Sequence, residues 1–553
     1  MYFNNKLIIA KSENGFISLN SGMLNRHGVI TGASGSGKTV SLKVIAETLS
    51  SAGIPSIVMD IKGDLSGCAR AGEMNENIEK RIEKLGLEKI EYELKKFPVK
   101  FWDVYGESGI PIRLTVSDMG PTLLSIILGL SEAGESLLSI AFQIAESKEW
   151  LLDDLKDLKI VLQEIADGAK EYSVEYGNIN PVSINTIIRK ITVLEGDSKE
   201  NLFGIPSLNL EDLMRVTDET GKGYISIIEC RELIKKPTLY ASLLVWLLSS
   251  FYERMPEVGD LDKPKAVLFL DEAHLIFSEM NNEVIKKITQ IIKLIRSKGI
   301  SVFFISQSPA DIPNEILGQL GNRIQHCLRA YTPQELKAVK TAASTLRENP
   351  KIDTEKAILE LGTGEALVSF VDEEGMPSIV ELAKILPPQS YMGEITQYEF
   401  DTIIDKTVVN TAGRESAYEV LTKVKEERAE AEAAEKARIE QEKAEEEARK
   451  EAERIKKEEE KAEKERQKEE ERVRKEVERL KKEEEKARKE AERARKNSVG
   501  YKVAKKAGNK VLNKALNKGV NALFGENKKS SKKKSSDSVG ETVVKGILKN
   551  LFK

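Results

Sequence analysis

The sequence is poor in the residues that cross-link a fold or hold a metal. Its three cysteines, Cys68, Cys230 and Cys327, lie far apart in 553 residues. An odd, scattered set offers neither a disulfide framework nor a zinc spacing, and suits a reducing compartment. Histidine is as scarce. His27, His274 and His326 fall singly near the ends of apolar runs, and each reads as a hydrogen-bonded structural residue rather than a ligand or base. No window reaches 18 uninterrupted apolar residues, and the apolar run in the opening MYFNNKLIIAKSENG is too short for a signal peptide or a span. A soluble, cytoplasmic body is therefore expected. Proline disappears after Pro388, and with it the residue that would interrupt a long helix.

What is present is charge and aliphatic surface: 40% of residues are hydrophobic, 32% charged and 6% aromatic. That composition fits a globular body joined to a long solvated segment, and the length calls for two or more structural units. The net charge of −4 is unevenly spread. From Ser498 onward 14 lysines face three acids, so this tail carries +11 and the rest −15. Such segregation points to an anionic partner for the tail.

From the start to about residue 385, β-rich apolar runs alternate with helical patterns, the mark of an α/β fold with a mostly parallel sheet. The expected core strands are HGVIT (27–31), PSIVMD (55–60), AVLFLD (266–271), ISVFFIS (300–306) and RIQHCLRA (323–330), with GEALVSFV (364–371) as an edge strand. A large, mainly helical insertion is expected over 65–260, with strands KFPVKFWDV and GYISIIE within or beside it. Residues 1–390 then form the main domain, 391–413 a linker and 414–497 a long Glu/Lys/Arg/Ala helix of about 130 Å. The helix has mostly alanine at its apolar positions. A solvated single helix held by i,i+4 Glu–Lys pairs is the first reading, and a coiled coil the second.

The stretch Gly32-Ala33-Ser34-Gly35-Ser36-Gly37-Lys38-Thr39 matches G-x-x-x-x-G-K-[ST] without a mismatch, after an apolar strand and before a helical pattern. Such glycines let backbone N–H groups converge on phosphate oxygens at a helix N-terminus. Lys38 is expected on the β- and γ-phosphates, and Thr39 on Mg²⁺. In AVLFLDEAH, Asp271 ends a strand where it can reach the Mg²⁺ shell, and Glu272 follows, placed to polarise the attacking water. Asp60, in SIVMDIKGD, also ends a strand but lacks an adjacent glutamate. It and Asp64 are read either as a supporting part of the cleft or as a structural turn. Gln307, at the tip of ISVFFISQ, is a candidate sensor of the γ-phosphate. Together these residues call for ATP and Mg²⁺ as cofactors and a cleft at the strand tips.

GASGSGKT, LFLDEAH and ISQ together resemble the HerA/FtsK group of P-loop ATPases. NRHGVITGASGSGKT, DIKGDLSG, LDEAHLIF, IRSKGISVFFISQSPADIP and LGNRIQHCLRAYTP resemble more closely a bacterial family of HerA-like helicase-domain proteins, over about residues 5–390. The resemblance implies a RecA-like core of additional-strand type, a hexameric ring, and activity on DNA. A ring implies an arginine acting in trans, for which Arg323, Arg296 and Arg329 are the candidates, Arg323 first. HerA proteins carry a β-barrel before the phosphate loop, whereas fewer than 30 residues precede its strand here.

The tail, 498–553, reads as basic, amphipathic and partly disordered. Lys506, Lys510, Lys514 and Lys518 recur every four residues opposite an apolar face containing Leu516, Leu523 and Phe524. An anionic membrane surface, a protein partner or nucleic acid would each suit it, with attachment at membrane or nucleoid accordingly open. Two functions compete: a DNA translocase or helicase-like motor, and a protein-remodelling or secretion-type ATPase using the long helix and tail as adaptor.

Overall fold

In the computed structural model, which describes residues 1–199, 201–259, 261–404 and 414–494, the central strands are apolar at nearly every position because both faces of the sheet are covered. Seven of them run parallel: β1 (Gly28–Thr31), β2 (Ser56–Asp60), β3 (Val99–Asp103), β4 (Ile225–Glu229), β5 (Ala266–Leu270), β6 (Ile300–Ser306) and β7 (Asn322–Gln325). Their spatial order is β7-β1-β6-β5-β2-β4-β3, within a sheet of 13 strands among the described residues. β6 lies between the strand that leads into GASGSGKT and the strand that ends at Asp271. This is the additional-strand arrangement of the RecA-like core.

Side-chain alternation assigns each residue to a layer. Ile57 and Met59, Leu268 and Leu270, and Val302 and Phe304 face one hydrophobic core, shared with the buried helix Pro237–Arg254 and the helices of the insertion. Val58, Val267, Phe269, Phe303 and Ile305 face the other, against α1 (Lys38–Ser51) and the N-terminal strands.

Several boundaries differ from those expected. The strand over 323–330 stops at Gln325, because His326 turns its ring inward to bond Ser41 Oγ at 2.8 Å and the Glu365 carbonyl at 2.9 Å. The strand Glu365–Ser369 is internal, not an edge: it pairs antiparallel with β7 on one side and with Glu381–Ile385 on the other. Beyond these, Lys6–Ser12 pairs with Glu381–Ile385, so the N-terminal segment closes this flank of the sheet. KFPVKFWDV and GYISIIE supply β3 and β4 of the main sheet, while the helices between Val116 and Ser198 form a layer of their own.

The chain divides into two compact units, Met1–Glu430 and Ala431–Lys553. The first extends past the boundary expected at residue 390, for a physical reason. The helix Ala417–Ala494 begins by packing Ala417 and Leu421 into the core of the insertion. The buried Asp157 carboxylate accepts the Tyr418 N–H at 2.8 Å, and Arg428 pairs with Glu164 at 2.9 Å. In the second unit the described helical residues 431–493 are exposed, apart from a half-buried Leu480. Pairs such as Lys450–Glu446, at 2.7 Å, and Lys475–Glu471, at 2.9 Å, recur one turn apart along it. The tail lies outside the described residues, and so do 405–413 of the expected linker. No described helix is long and apolar enough to cross a membrane.

Candidate functional site

The parallel register brings the tips of five strands to one edge. Thr31 is aligned with Ser306 and with Gln325, and Leu270, the residue before Asp271, is aligned with Phe304 and with Met59. The phosphate loop, the two carboxylates, Gln307 and Asp60 therefore share the carboxyl edge of the sheet, where open α/β sheets take their ligands.

The loop from Gly32 to Gly37 needs its glycines. Gly32, Gly35 and Gly37 have φ of 155°, 76° and 118°, in the range that side chains avoid. A Cβ on Gly32 would lie 2.5 Å from His326 Cβ. Gly37 is the N-cap of α1, no side chain caps that helix, and its first turn holds no acid. Its leading N–H groups thus remain as donors beside a partial positive charge, a cradle that fits phosphate oxygens. The buried Lys38 ammonium donates to the Gly32 carbonyl at 2.6 Å and the Ala33 carbonyl at 3.2 Å. Burial lowers its pKa, opposed by the charges of Glu272, Asp271 and Asp311. Thr39 is half-buried on the first turn.

Burial pushes the Asp271 carboxyl up to about 6, with the Glu272 charge adding to the rise and Lys62 opposing it. Asp60 is pushed up to about 7, again by burial first, although it accepts N–H groups from Gly63 at 2.8 Å, Lys62 at 3.0 Å and Leu65 at 3.3 Å. Burial works to raise Glu272 as well. Its hydrogen bond and ion pair with Lys62, and the charge of Lys38, outweigh burial and hold it below the usual carboxylate range. A buried set of carboxylates at the end of a phosphate cradle is the donor chemistry that Mg²⁺ takes. Among the described residues no three His, Cys, Asp or Glu side chains close around a metal position; Mg²⁺ shared with substrate phosphates needs only one or two protein carboxylates.

Gln307 is exposed, one residue past the end of β6. Next to it, Ser306 Oγ and the Ser308 N–H donate to the Asp311 carboxylate at 2.7 and 2.8 Å. All three nitrogens of the Arg323 guanidinium are engaged inside the chain, donating to the Leu320, Leu317 and Thr345 carbonyls. These bonds hold the guanidinium of Arg323, the first candidate for a residue acting in trans, against its own chain. Arg296 is half-buried. Arg329 is exposed, just after Cys327, whose carbonyl accepts the Ala33 N–H of the phosphate loop at 2.8 Å.

Two participants escaped the sequence reading. Lys62 pairs with Glu272 across β2 and β5, and Gln325 accepts the Thr31 hydroxyl at 2.6 Å beneath the phosphate loop. The only available signal was that each lies at or just past a strand end, and it becomes specific only once the strand order is known.

Two DNA double-strand break repair helicases HerA are similar to this chain. That of Sulfurisphaera tokodaii is 26% identical over 243 residues, covering 41% of this chain and 48% of the relative. That of Sulfolobus acidocaldarius is 22% identical over 234 residues, covering 42% and 39%. The chain spans less than half the length of the curated relatives it matches. Among solved structures, VirB4 of Thermoanaerobacter pseudethanolicus aligns with a TM-score of 0.44 and 15% identity over 72% of this chain and all of that one. The plasmid coupling protein TrwB, in complex with a non-hydrolysable GTP analogue, aligns with a TM-score of 0.45 and 11% identity over 67% and 87%. The family model described as helicase HerA-like C-terminal matches residues 5–531, and the chain belongs to that family.

Proposed function

We propose that the protein is a Mg²⁺-dependent ATPase that works as a ring-shaped DNA translocase or helicase-like motor. One observation carries the hydrolytic part: an uncapped helix N-terminus bearing Lys38 shares a sheet edge with the buried pair Asp271–Glu272. In this reading the N–H groups of Gly35 to Thr39 and the Lys38 ammonium bind the phosphates. Thr39 and Asp271 would hold Mg²⁺, which when bound neutralises charge on the phosphoryl oxygens. Glu272 takes the proton of the attacking water, and Gln307 orients that water or the γ-phosphate. Arg329, exposed beside the loop, is the favoured arginine in trans, with Arg296 second. Family membership supports DNA as the substrate, the related proteins being named as DNA repair helicases.

The test is ATPase turnover with and without duplex and single-stranded DNA, on the full chain and on Lys38→Ala. Lys38→Ala should lose nucleotide binding by calorimetry, and DNA should stimulate the parent protein. Turnover indifferent to both DNA forms would favour the protein-remodelling or secretion-type alternative. Mixing Lys38→Ala with Arg329→Ala should restore part of the activity, since an arginine finger supplies about 10³–10⁵ in rate and each variant would repair the other's site. No rescue, together with a monomer by light scattering, would sink the ring.

A further inference from the structure

We propose that Lys62 is a positioning residue for the base: its ammonium grips one oxygen of Glu272 and leaves the other free to take the proton of water. The inference rests on Glu272 being the base. Three observations support it. Lys62 Nζ pairs with Glu272 Oε1, while Oε2 is buried and has no hydrogen-bond partner. His274 Nδ1 lies 3.2 Å from Oε2, an ion pair only when that ring is protonated, and it too makes no hydrogen bond. A buried acceptor left open on a carboxylate costs about 1–3 kcal/mol, so this one is poised for a donor that arrives with substrate.

The second observation is the anchoring of Lys62. The Asp60 carboxylate accepts the N–H groups of Lys62, Gly63 and Leu65, which fixes the loop from which the lysine reaches across to β5. Third, Glu272 needs such a hold. Its backbone sits at φ 46°, the N-cap of the short helix Ala273–Glu279, and its side chain makes no capping bond there. Within its own helix only His274 Nδ1 faces the carboxylate, and it faces Oε2, not the oxygen that Lys62 holds. At 39% side-chain exposure, against 10% for the glutamate, the lysine can be replaced without opening the core.

The experiment uses the full chain and Lys62→Met, which keeps the aliphatic stem, alongside Lys62→Arg, Glu272→Gln and the double variant. Lys62→Met should lower kcat about 10–100-fold, part of the about 10²–10⁴ that a general base contributes. Its affinity for a non-hydrolysable ATP analogue, by calorimetry with and without Mg²⁺, should stay within about threefold of the parent, which also verifies that the site is folded. Lys62→Arg should recover most of the rate. In single turnovers, Lys62→Met should add nothing to Glu272→Gln, because both remove one device. Parental kcat in Lys62→Met overturns the proposal. So does a further loss on top of Glu272→Gln, or an affinity drop of tenfold, since either means that the lysine acts on the nucleotide instead. Parental turnover in Glu272→Gln alone overturns the assignment of the base, a separate failure.

Discussion

At the end of β5 one peptide step separates two carboxylates with opposite leanings. Asp271 is buried and its carboxyl is raised to about 6, so a cation at that position gains by keeping it ionised. Glu272, gripped by Lys62, is held ionised without one. Glu272→Gln should accordingly bind ATP normally and hydrolyse it about 10²–10⁴ times more slowly in steady-state assays. Asp60→Asn should be milder, since Asp60 bonds the 62–65 backbone rather than facing the phosphate loop. If Asp60→Asn is the more damaging, the Mg²⁺ and base roles are on the wrong strand. His27 illustrates the structural use of a histidine. Its Nε2 faces the Ile292 carbonyl at 3.1 Å and its Nδ1 accepts the Val302 N–H at 3.1 Å, so only the neutral ring fits. Burial lowers its pKa to about 4. The unfolded chain takes up this proton below about pH 6.5 and the folded chain only near 4, so the His27 contribution is complete above 6.5 and is lost on acidification through that window. Asp60, raised to about 7, works the other way, gaining a proton in the fold first. The difference between parent and His27→Asn isolates the histidine. Asparagine tolerates the φ of 53°, and the stability gap between the two proteins should shrink by up to about 3 kcal/mol between pH 7 and 4. Denaturant melts showing a constant gap would contradict the neutral assignment.

Among elements, what the sequence disclosed was local and what it hid was long-range. GASGSGKT and LFLDEA carry their meaning within a strand, a turn and the start of a helix, so the phosphate loop and the carboxylate pair were readable from spacing alone. Arg323 looked like any other polar residue after a strand; two of its carbonyl partners, Leu317 and Leu320, lie just before it in the chain, but the third, Thr345, is 22 residues on and is brought to it only by the fold. Glu365–Ser369 looked like an edge because nothing in its own residues announces that Glu381–Ile385 and then Lys6–Ser12 will pair beyond it. The root of the long helix was hidden for a similar reason. Its first turns, AYEVLTKV, are more apolar than the rest, but nothing in them names the distant residues against which Ala417 and Leu421 are buried. Asp157 holds that root by accepting the N–H groups of Tyr418, Asp153 and Asp154 at 2.8, 2.9 and 2.9 Å. Asp157→Ala leaves those donors unmet and should destabilise the unit by about 1–3 kcal/mol in a denaturant melt. Arg428→Ala loses a pair whose arginine is 61% exposed and should cost within about 1 kcal/mol. Equal costs would mean that the charge pair, not the buried carboxylate, fastens the helix.

On the scale of the molecule, charge and chemistry are segregated along the chain. Every residue assigned to nucleotide lies between Gly32 and Arg329, and the sheet that aligns them ends at Ile385. The excess of positive charge lies beyond Ser498, where 14 lysines outnumber three acids in a protein of net charge −4. The strands of the sheet and the Asp60 loop are built from residues up to Ile385, so the machinery for hydrolysis should survive removal of that segment. We expect a chain ending at residue 497 to keep basal ATPase activity and to lose binding to anionic vesicles or to DNA, whichever partner is real. Phosphate-rich partners held by lysines release counterions, so in the full chain the binding should weaken steeply as salt rises. Glu substitutions at Lys510 and Lys514 should reproduce the loss, because they reverse two positive charges of the tail and leave its apolar residues unchanged. Vesicles and DNA competing for the full chain would then rank the partners, and a tail that reads phosphate alone would let either displace the other. If the shortened chain binds both as well as the parent does, the anionic partner is held by the ATPase body, and the segregated charge serves solubility rather than address.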